Sequence, residues 1–428
     1  MKIIRHTDPD YAAFAASLNR RAEASDAVRE VVSGVIKAVR ERGDEAVLEF
    51  TAKFDGAQLT PATMRIPQAA LDAAWDAASP ELKDALQASQ RNVAAFAKKS
   101  LRSAWSMKNE QGAEVGEVFH PFERVGCYVP GGSAPLVSTT MMTVAIAAAA
   151  GVPEIVVCTP CGKDGTVNPG LLAALKLAGA TEVYAIGGAQ AIAALAFGTQ
   201  TIRPVVKIFG PGNSYVVEAK RQAFGVVSID LLPGPSEVLI LADSSGNPAC
   251  IAADILAQAE HGKDSMAGFI TDDEKLLQNV ISQVEAQSRV LSRQAQLGPV
   301  LEKGVFLMLA PTLEAAARLV NDFAPEHLSL VTTREAEILP LIRTAGAIFL
   351  GNDSPVAVGD FLAGPSHTLP TGGSGKSFPG ITAEMFQRRT SLIRLDKQSC
   401  ARSEPIVRAF AAVEGLDAHG RSVSIRQE

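Results

Sequence analysis

The pattern that decides the fold lies in residues 182–197, Glu-Val-Tyr-Ala-Ile-Gly-Gly-Ala-Gln-Ala-Ile-Ala-Ala-Leu-Ala-Phe. A short β-rich run ends in Gly187-Gly188, and an alanine-rich run typical of a helix follows at once. The same alternation recurs on both sides, between about 120 and 225. Strands that alternate with helices of about ten residues indicate βαβ units and a parallel sheet.

Two more predicted strands of this series end in glycine-rich turns. The strand at 124–129 leads into Pro130-Gly131-Gly132, and the strand at 205–209 leads into Gly210-Pro211-Gly212-Asn213. Backbone N–H groups at such turns, and the helix N-termini after them, favour anions, so the turns suit a ligand that carries phosphates. The dinucleotide fingerprint G-x-G-x-x-G is absent, and turn geometry alone also explains the glycines.

A second series of the same kind begins near residue 237. Strands are predicted at 237–241, 267–270, 305–309, 328–331 and 345–350, with helices at 248–260, 274–286 and 313–321. Amphipathic periodicity also predicts helices at 27–50 (broken at Gly43), 67–77 and 79–100, and a last helix at 405–414. The predicted fold class is α/β, with two incomplete Rossmann-like lobes of parallel sheet, a small N-terminal helical segment and a C-terminal arm.

The predicted boundaries are 1–25 for the N-terminal segment, 26–127 plus 237–375 for the first lobe, 128–236 for the second lobe and 376–428 for the arm. A cleft between two lobes is a favoured place for a ligand.

The composition, 47% apolar and 20% charged over 428 residues, is that of a soluble protein with well-formed cores. A net charge of −6, without a basic cluster, argues against a nucleic-acid partner. The longest apolar stretch, 144–152, is too short to span a bilayer, and no signal-peptide core follows Met1, so no membrane partner is expected. Five cysteines fit a reducing cytoplasm better than a disulfide framework.

The polar motif with the clearest chemical meaning is Pro325-Glu326-His327, just before the predicted strand 328–331. A carboxyl group and an imidazole can both transfer protons, and α/β enzymes often keep such groups at the end of a buried strand. The alternative is an ordinary turn with two polar surface residues.

A second set of polar residues contains groups that bind metals. Gln258 and His261 are three residues apart at the end of a predicted helix and so share one face. Asp360 and His419 add a carboxylate and an imidazole in glycine-flanked loops. Two histidines, a carboxylate and an oxygen donor suit zinc or a similar ion. A polar helix end explains the first two residues equally well, and the sequence does not place the four together.

Two other motifs resemble known sites only in part. Cys158-Thr159-Pro160-Cys161 has the spacing of a redox or zinc motif, but no second C-x-x-C exists. The segment 372–377, Gly-Gly-Ser-Gly-Lys-Ser, ends like a phosphate-binding P-loop, but Pro370 stands where that motif requires its first glycine. Neither motif therefore indicates a function.

Taken together, the chain resembles the histidinol dehydrogenase family over about 30–425. The motifs that carry the resemblance follow in family order. They are 126–132 (Gly-Cys-Tyr-Val-Pro-Gly-Gly), 187–192 (Gly-Gly-Ala-Gln-Ala-Ile), 210–216 (Gly-Pro-Gly-Asn-Ser-Tyr-Val), 234–237 (Gly-Pro-Ser-Glu), 258–261 (Gln-Ala-Glu-His), 325–328 (Pro-Glu-His-Leu), 359–361 (Gly-Asp-Phe), 366–373 (Ser-His-Thr-Leu-Pro-Thr-Gly-Gly) and 414–419 (Glu-Gly-Leu-Asp-Ala-His).

The resemblance implies a cytoplasmic homodimer with one zinc ion per subunit that oxidises L-histidinol to L-histidine through the aldehyde, with NAD as the oxidant. It implies that the arm completes the partner's site and that His419 acts there. The implied residues are, for zinc, Gln258, His261, Asp360 and His419; for NAD, Tyr128, Gln190 and Asn213; for substrate, Ser236, Gln258, His261, His327, Asp360, His367, Glu414 and His419; and for catalysis, Glu326 and His327.

The implied chemistry explains these residue types. Removal of a hydride from an alcohol carbon requires a base for the hydroxyl proton, a role for His327. The aldehyde must then add water, which Glu326 would activate, while zinc would position the substrate. Ser366 stands where many family members have asparagine, and the loop 375–378 also differs. These departures keep open the oxidation of another primary alcohol, such as a sulfonated propanediol, as in related enzymes.

Two alternatives from other classes remain at this point. One is a zinc hydrolase in which Glu326 activates a metal-bound water, and the other is a binding protein without catalysis. The glycine-rich strand ends argue against the first, and the adjacent acid and imidazole at 326–327 argue against the second.

Overall fold

The architecture comes from a computed structural model that describes residues 1–20, 25–131, 136–262, 264–291 and 294–428, with side chains except at 294–296. Gly132, in the first predicted turn, lies outside the described residues. The strands are β1 (Lys2–Arg5), β2 (Arg65–Ile66), β3 (Trp105–Lys108), β4 (Glu114–Pro121), β5 (Arg124–Tyr128), β6 (Glu154–Cys158), β7 (Glu182–Tyr184), β8 (Lys207–Phe209), β9 (Ser228–Ile229), β10 (Glu237–Ala242), β11 (Met266–Thr271), β12 (Val305–Leu309), β13 (His327–Val331), β14 (Ala347–Leu350) and β15 (Gln387–Arg394).

The helices occupy most of the chain between these strands. They are α1 (Tyr11–Ser17), α2 (Asp26–Arg42), α3 (Asp44–Phe54), α4 (Pro61–Met64), α5 (Gln68–Ala77), α6 (Pro80–Ser100), α7 (Val137–Thr140), α8 (Ile146–Ala149), α9 (Pro169–Ala178), α10 (Gly188–Phe197), α11 (Ser214–Ala223), α12 (Pro248–Ala259), α13 (Glu274–Ser288), α14 (Gln294–Lys303), α15 (Leu313–Phe323), α16 (Glu335–Ile338), α17 (Val356–Phe361), α18 (Lys397–Glu414) and α19 (Asp417–Ser424). A π-helical turn at Met141–Ala145 joins α7 to α8, and 3₁₀ turns lie at Leu339–Leu341, Ser374–Lys376, Ala383–Phe386 and Ile425–Gln427.

The first sheet is wholly parallel, with six strands in the order β1-β12-β11-β10-β13-β14. Every residue of β10 and of β13 is buried, because helices cover both faces of the sheet. Helices α12 and α13 pack on one face and α15 packs on the other.

The second sheet has six strands in the order β2-β7-β6-β5-β8-β9 and is parallel except for β2, which runs antiparallel to β7. Helices α9, α10 and α11 connect its strands. Two lobes with parallel sheets confirm the predicted α/β class.

The N-terminal helices belong to the second sheet, not to the first. Val32 and Val35 of α2 join an apolar core with Ile192 of α10, and α5 and α6 pack against α9. The predicted grouping of 26–127 with 237–375 is therefore wrong. Helical periodicity identifies the buried face of each helix, but it does not identify the sheet that this face covers.

The N-terminal segment also differs from its prediction, because it is only partly helical. Lys2–Arg5 form β1, which pairs in parallel with β12 at the edge of the first sheet. The segment is thereby part of the lobe that carries the polar motifs.

The C-terminal arm contains a strand and a longer helix than predicted. Strand β15 pairs with β4 in a three-stranded antiparallel sheet, β15-β4-β3, which lies outside both parallel sheets. Helix α18 begins at Lys397 rather than 405, because the Asp396 carboxylate caps it by accepting the Ser399 N–H at 2.7 Å, and Pro405 lies inside the helix. The predicted helix therefore covered only the second half of α18.

Among the described residues, no helix is both long enough and apolar enough to span a bilayer.

Candidate active site

The turn before β13 presents Glu326 and His327 at the amino-terminal end of this buried strand. Ala324 has φ +52°, in the left-handed region that an alanine rarely adopts, and Pro325 follows it. His327 lies beside Val238 of β10 in the sheet register. The ends of β10 and β13 therefore form one edge of the site.

Glu326 is buried and accepts two hydrogen bonds on one carboxylate oxygen. The Ser236 hydroxyl donates to its Oε2 at 2.7 Å, and the Glu237 N–H donates to the same atom at 2.8 Å. Burial raises the pKa of Glu326 well above its usual range, and these two donors oppose the rise only in part. The group is therefore a stronger base, when ionised, than an exposed glutamate.

The ring of His327 is oriented by a backbone carbonyl. Its Nδ1 lies 3.1 Å from the Glu237 carbonyl oxygen, and a carbonyl oxygen only accepts, so Nδ1 carries the proton in the neutral ring. The other nitrogen, Nε2, is buried without a hydrogen-bond partner among the described residues and lies 3.7 Å from Oδ1 of Asp360. Burial lowers the pKa of His327, against the opposing effect of Asp360. The neutral ring therefore offers a free lone pair on Nε2.

Asp360 of α17 lies at the centre of three imidazoles. Its carboxylate is within 4.0 Å of Nε2 of His261, 3.7 Å of Nε2 of His327 and 3.8 Å of Nδ1 of His367. Residues more than 100 positions apart in the sequence thus converge at one carboxylate. Burial raises the pKa of Asp360 and lowers that of His367 to about 4.

His367 links the two lobes. Its Nδ1 donates to the Asp360 carbonyl oxygen at 2.9 Å, and its Nε2 lies 3.4 Å from the Thr139 hydroxyl in α7 of the second lobe. The neighbouring Ser366 hydroxyl is buried and donates to the Met142 carbonyl oxygen at 2.9 Å. The serine noted in the sequence therefore fixes the loop to the second lobe.

Three of the four predicted zinc ligands lie near one another. Gln258 is buried near the end of α12, its side-chain Nε2 has no hydrogen-bond partner among the described residues, and its backbone carbonyl oxygen accepts the His261 N–H at 3.2 Å. His261 is half-exposed and faces Asp360. Within the described ranges, no three His, Cys, Asp or Glu side chains are arranged to hold a metal by themselves.

Glu414 and His419 lie apart from this cluster. Both are exposed, at the end of α18 and in α19, and these two helices pack against each other. In the part of the chain that the structure describes, neither side chain bonds to a site residue. A single chain does not bring these two predicted residues to the site.

A cavity of about 380 Å³ lies beside His327 and His367. His327, Phe349, Val358, Gly359 and His367 line it, so that the imidazole edges are polar groups in a mostly apolar wall. A small organic molecule with one reactive polar end fits such a wall.

The three predicted NAD residues lie at carboxyl-terminal strand ends of the second sheet. Tyr128 ends β5, and its buried hydroxyl accepts the Gly188 N–H at 3.1 Å. Gln190, in the first turn of α10, is fully buried, and neither atom of its amide has a partner among the described residues. Burial raises the pKa of Tyr128 to about 12, so the hydroxyl stays neutral.

Asn213 begins α11, after the third turn. Its Oδ1 accepts the N–H groups of Tyr215 and Val216 at 3.1 and 3.2 Å. Strand β5 pairs with β6 on one side and with β8 on the other, so Tyr128 and Asn213 flank the point where the strand order reverses. Open α/β sheets bind their ligands at this point.

Some residues of the site gave no clear signal in the sequence. Glu237 orients both catalytic candidates through its backbone, and its own buried carboxylate pairs with Arg20 at 2.7 Å. Thr139 reaches His367 from the other lobe. An acidic residue at the start of an apolar strand, as at Glu237, is the one signal that could have indicated a buried charge.

The two incomplete motifs have structural roles. Cys158 is buried at the end of β6, and Cys161 is partly buried and unpaired. In the segment 372–377, the Gly372 N–H donates to the Glu237 carboxylate at 3.1 Å. This segment is thus bonded to a residue that orients the site, and the 3₁₀ turn Ser374–Lys376 lies where a P-loop has a helix.

Comparison with known proteins identifies the family. The family model of histidinol dehydrogenase matches residues 18–427. Histidinol dehydrogenase from Syntrophotalea carbinolica is 42% identical over 427 residues, covering 100% of this chain and 99% of the relative, and that of Rhizobium meliloti is 43% identical over 413 residues, covering 96% and 95%. The crystal structure of histidinol dehydrogenase from Elizabethkingia anophelis superposes with a TM-score of 0.94 at 35% identity, covering 100% of this chain and 98% of that one. The chain therefore belongs to the histidinol dehydrogenase family and is an oxidoreductase.

Proposed function

We propose that this protein oxidises L-histidinol to L-histidine through L-histidinaldehyde, the last step of histidine biosynthesis, with NAD as hydride acceptor and one zinc ion per subunit. The observation that carries the proposal is the pairing of a neutral, buried imidazole, whose Nε2 is free, with a buried carboxylate next to it in the sequence.

His327 would act as the base in both oxidations. The Glu237 carbonyl holds its Nδ1 proton, so Nε2 is the atom that takes the proton from the substrate hydroxyl as the hydride leaves carbon. The same nitrogen would accept the proton of the hydrated aldehyde in the second oxidation. Its lowered pKa keeps the ring neutral, and therefore able to accept a proton, at neutral pH.

Glu326 would activate the water that adds to the aldehyde. Its Oε2 is held by Ser236 and the Glu237 N–H, and its other oxygen is not used by these two bonds. A carboxylate with a raised pKa accepts a proton from water more readily than an exposed one. Ser236 would hold this carboxylate and serve as a further substrate contact.

The residues present fit a zinc ion that positions the substrate. Gln258, His261 and Asp360 would hold it, together with His419 of the partner subunit. The buried side-chain amide of Gln258, whose oxygen can ligate a metal, and the carboxylate of Asp360, which faces His261, match an oxygen- and imidazole-rich ligand set. Bound there, zinc would hold the amine and imidazole of the substrate as a template.

The exposed apolar residues of the arm support a homodimer. Phe410 and Val413 of α18 are 66% and 89% exposed, and Ile393 of β15 is 72% exposed, which is unusual for apolar side chains on an isolated subunit. A second subunit would cover them and would receive Glu414 and His419 at its site, with Glu414 and His367 as further substrate contacts. The dimer would work in the cytoplasm, where the five cysteines stay reduced.

The dinucleotide would bind at the second sheet, with Tyr128, Gln190 and Asn213 around it. The unpartnered amide of Gln190 would supply a donor and an acceptor, and the N-terminus of α11 would favour phosphate oxygens. NAD bound there would accept the hydride from the substrate carbon.

The test is the yield of NADH from limiting L-histidinol, measured by absorbance before and after chelation and after zinc is returned. We expect two NADH per histidinol, lost with the chelator and restored by zinc. The sulfonated propanediol serves as the matched alcohol: turnover of it without turnover of histidinol would keep the chemistry and change the substrate. No NADH from either alcohol would refute the proposal.

A further inference from the structure

The turn at 210–213, between β8 and α11, is held by a buried ion pair. The Lys220 ammonium of α11 contacts the Asp230 carboxylate just after β9, and both side chains are fully buried. Gly210 lies between them: its N–H donates to Oδ2 of Asp230 at 2.8 Å, and its carbonyl oxygen accepts from the Lys220 Nζ at 2.9 Å. Asp230 also accepts the Leu231 N–H at 2.6 Å. Both backbone polar groups of one glycine are thus bound by one ion pair.

The backbone of Gly210 has a positive φ, which side-chain-bearing residues rarely adopt, and the ion pair holds it in this conformation. Its φ is +112°, and a Cβ at this position would lie 2.1 Å from the Tyr128 carbonyl oxygen. The end of β8 therefore packs backbone to backbone against the end of β5, where Tyr128 points its hydroxyl at Gly188. A shift of Gly210 would move the turn relative to both other glycine-rich turns.

The other end of the turn is fixed by the helix. Asn213 caps α11 with its side chain, and a Cβ on Gly212 would lie 2.4 Å from Val216. In the described part of the chain, the N–H groups of Gly212, Asn213 and Ser214 have no hydrogen-bond acceptor. Three adjacent N–H groups without an acceptor at the start of a ten-residue helix favour an anion there.

Stability alone does not account for a buried ion pair. The desolvation of two charges offsets most of their attraction, and apolar side chains of the same volume usually serve a core equally well. What apolar side chains do not replace is the pair of hydrogen bonds to Gly210.

We propose that Lys220 and Asp230 are positioning residues for the dinucleotide: they fix the turn 210–213 so that its free N–H groups meet the pyrophosphate. The inference rests on the proposed NAD-dependent function. Neither side chain touches the dinucleotide, since both are enclosed behind the turn.

The test compares Lys220→Met, Asp230→Asn and the apolar double variant Lys220→Met/Asp230→Leu with the wild type. We measure the KM for NAD⁺, the Kd of NAD⁺ by calorimetry, the KM for L-histidinol and kcat at saturation. We expect the KM and Kd for NAD⁺ to rise about tenfold or more, with kcat within about twofold and the KM for histidinol unchanged. The matched control is Lys176→Met, which removes a surface ion pair with Asp72 far from the turn.

Folding is checked by circular dichroism and by thermal unfolding. If Lys220→Met does not fold because it leaves Asp230 buried and unpaired, the double variant decides, since it removes both charges. A folded double variant with the wild-type KM for NAD⁺ would overturn the inference. So would failure of all three variants to fold, because the pair would then serve stability alone.

The same experiment separates this inference from the proposed function. A wild-type protein that does not bind NAD⁺ would refute the proposed function before any variant is compared. A wild-type protein that binds NAD⁺ no more tightly than the folded variants would refute only the role of Lys220 and Asp230.

Discussion

Replacement of His327 by asparagine removes Nε2 and leaves the rest of the site nearly unchanged. The asparagine amide nitrogen takes the place of Nδ1 and can donate to the Glu237 carbonyl oxygen, the bond that the histidine makes at 3.1 Å. The lost atom, Nε2, has no hydrogen-bond partner among the described residues, so no other group is left unsatisfied. The variant therefore tests the base with little disturbance of the fold.

The size of the effect follows from the role of that nitrogen. A positioned general base contributes about 10²–10⁴ to the rate. The Nε2 atom is buried where no water replaces it easily, because the side chain is only 4% exposed, so we expect the upper part of this range. A loss of about 10³ in kcat corresponds to about 4 kcal/mol of activation free energy.

The assay is steady-state NADH formation from L-histidinol, with circular dichroism to verify the fold. His6→Asn is the matched control, since His6 is exposed in the turn after β1 and should leave kcat unchanged. A folded His327→Asn protein whose kcat stays within about tenfold of the wild type would refute the assignment of His327 as the base.

Three further predictions concern single side chains. Glu182→Gln should lower the free energy of unfolding and its dependence on pH, because Arg124 holds the pKa of Glu182 down at about 2 from an ordinary 4.5. The wild type should therefore lose up to about 3 kcal/mol of unfolding free energy as pH falls from about 4.5 towards 2. The variant should lose less, which urea unfolding at several pH values will test. Ser236→Ala removes one of the two donors to the Glu326 carboxylate. The pKa of Glu326 should therefore rise further, and kcat should fall about three- to tenfold. A pH–rate profile identical to that of the wild type would contradict the role of Ser236. Tyr128→Phe removes the acceptor of the Gly188 N–H at the start of α10, so the Kd for NAD⁺ by calorimetry should rise about fivefold, and an unchanged Kd would exclude the hydroxyl from coenzyme binding.

The alternation of strands and helices was predictable because parallel sheets impose it. A strand buried on both faces, such as β10, is a continuous apolar run, and the glycines at 187–188 and 210–212 mark where each strand turns into a helix. These signals are local. They located most strands of both parallel sheets, and they missed β1, β2 and β9, which are short edge strands of four, two and two residues.

The order of the strands was not predictable from such local signals. The packing of 26–127 on the second sheet depends on contacts between residues more than 100 positions apart, as between Val32 and Ile192. The last helix was predicted at 405–414, yet α18 begins at Lys397, where the Asp396 side chain caps it nine residues earlier.

The candidate site illustrates the same limit. Glu326 and His327 stood out because an acid and an imidazole follow a proline before an apolar strand. That Asp360 would lie within 4.0 Å of His261, His327 and His367 depends on β13 being the neighbour of β10, which no local pattern encodes. The resemblance to the family supplied these residues, and the structure shows that His261, His327 and His367 lie around one carboxylate.

The arrangement of the two lobes bears on the fate of the aldehyde. In the proposed reaction, hydride transfer requires the substrate carbon to touch the nicotinamide, so the first-lobe residues around His327 and a dinucleotide bound to the second lobe would have to contact one small molecule. The loop that carries Ser366 and His367 is bonded to both lobes, through Met142 and Thr139 on one side and the Asp360 carbonyl on the other. A loop tied at both ends is a wall of the site rather than a lid that opens at each step. We therefore expect the aldehyde to be retained by a fixed enclosure while one NADH leaves and a second NAD⁺ binds, which requires that the dinucleotide exchange at the second sheet without disturbing this loop.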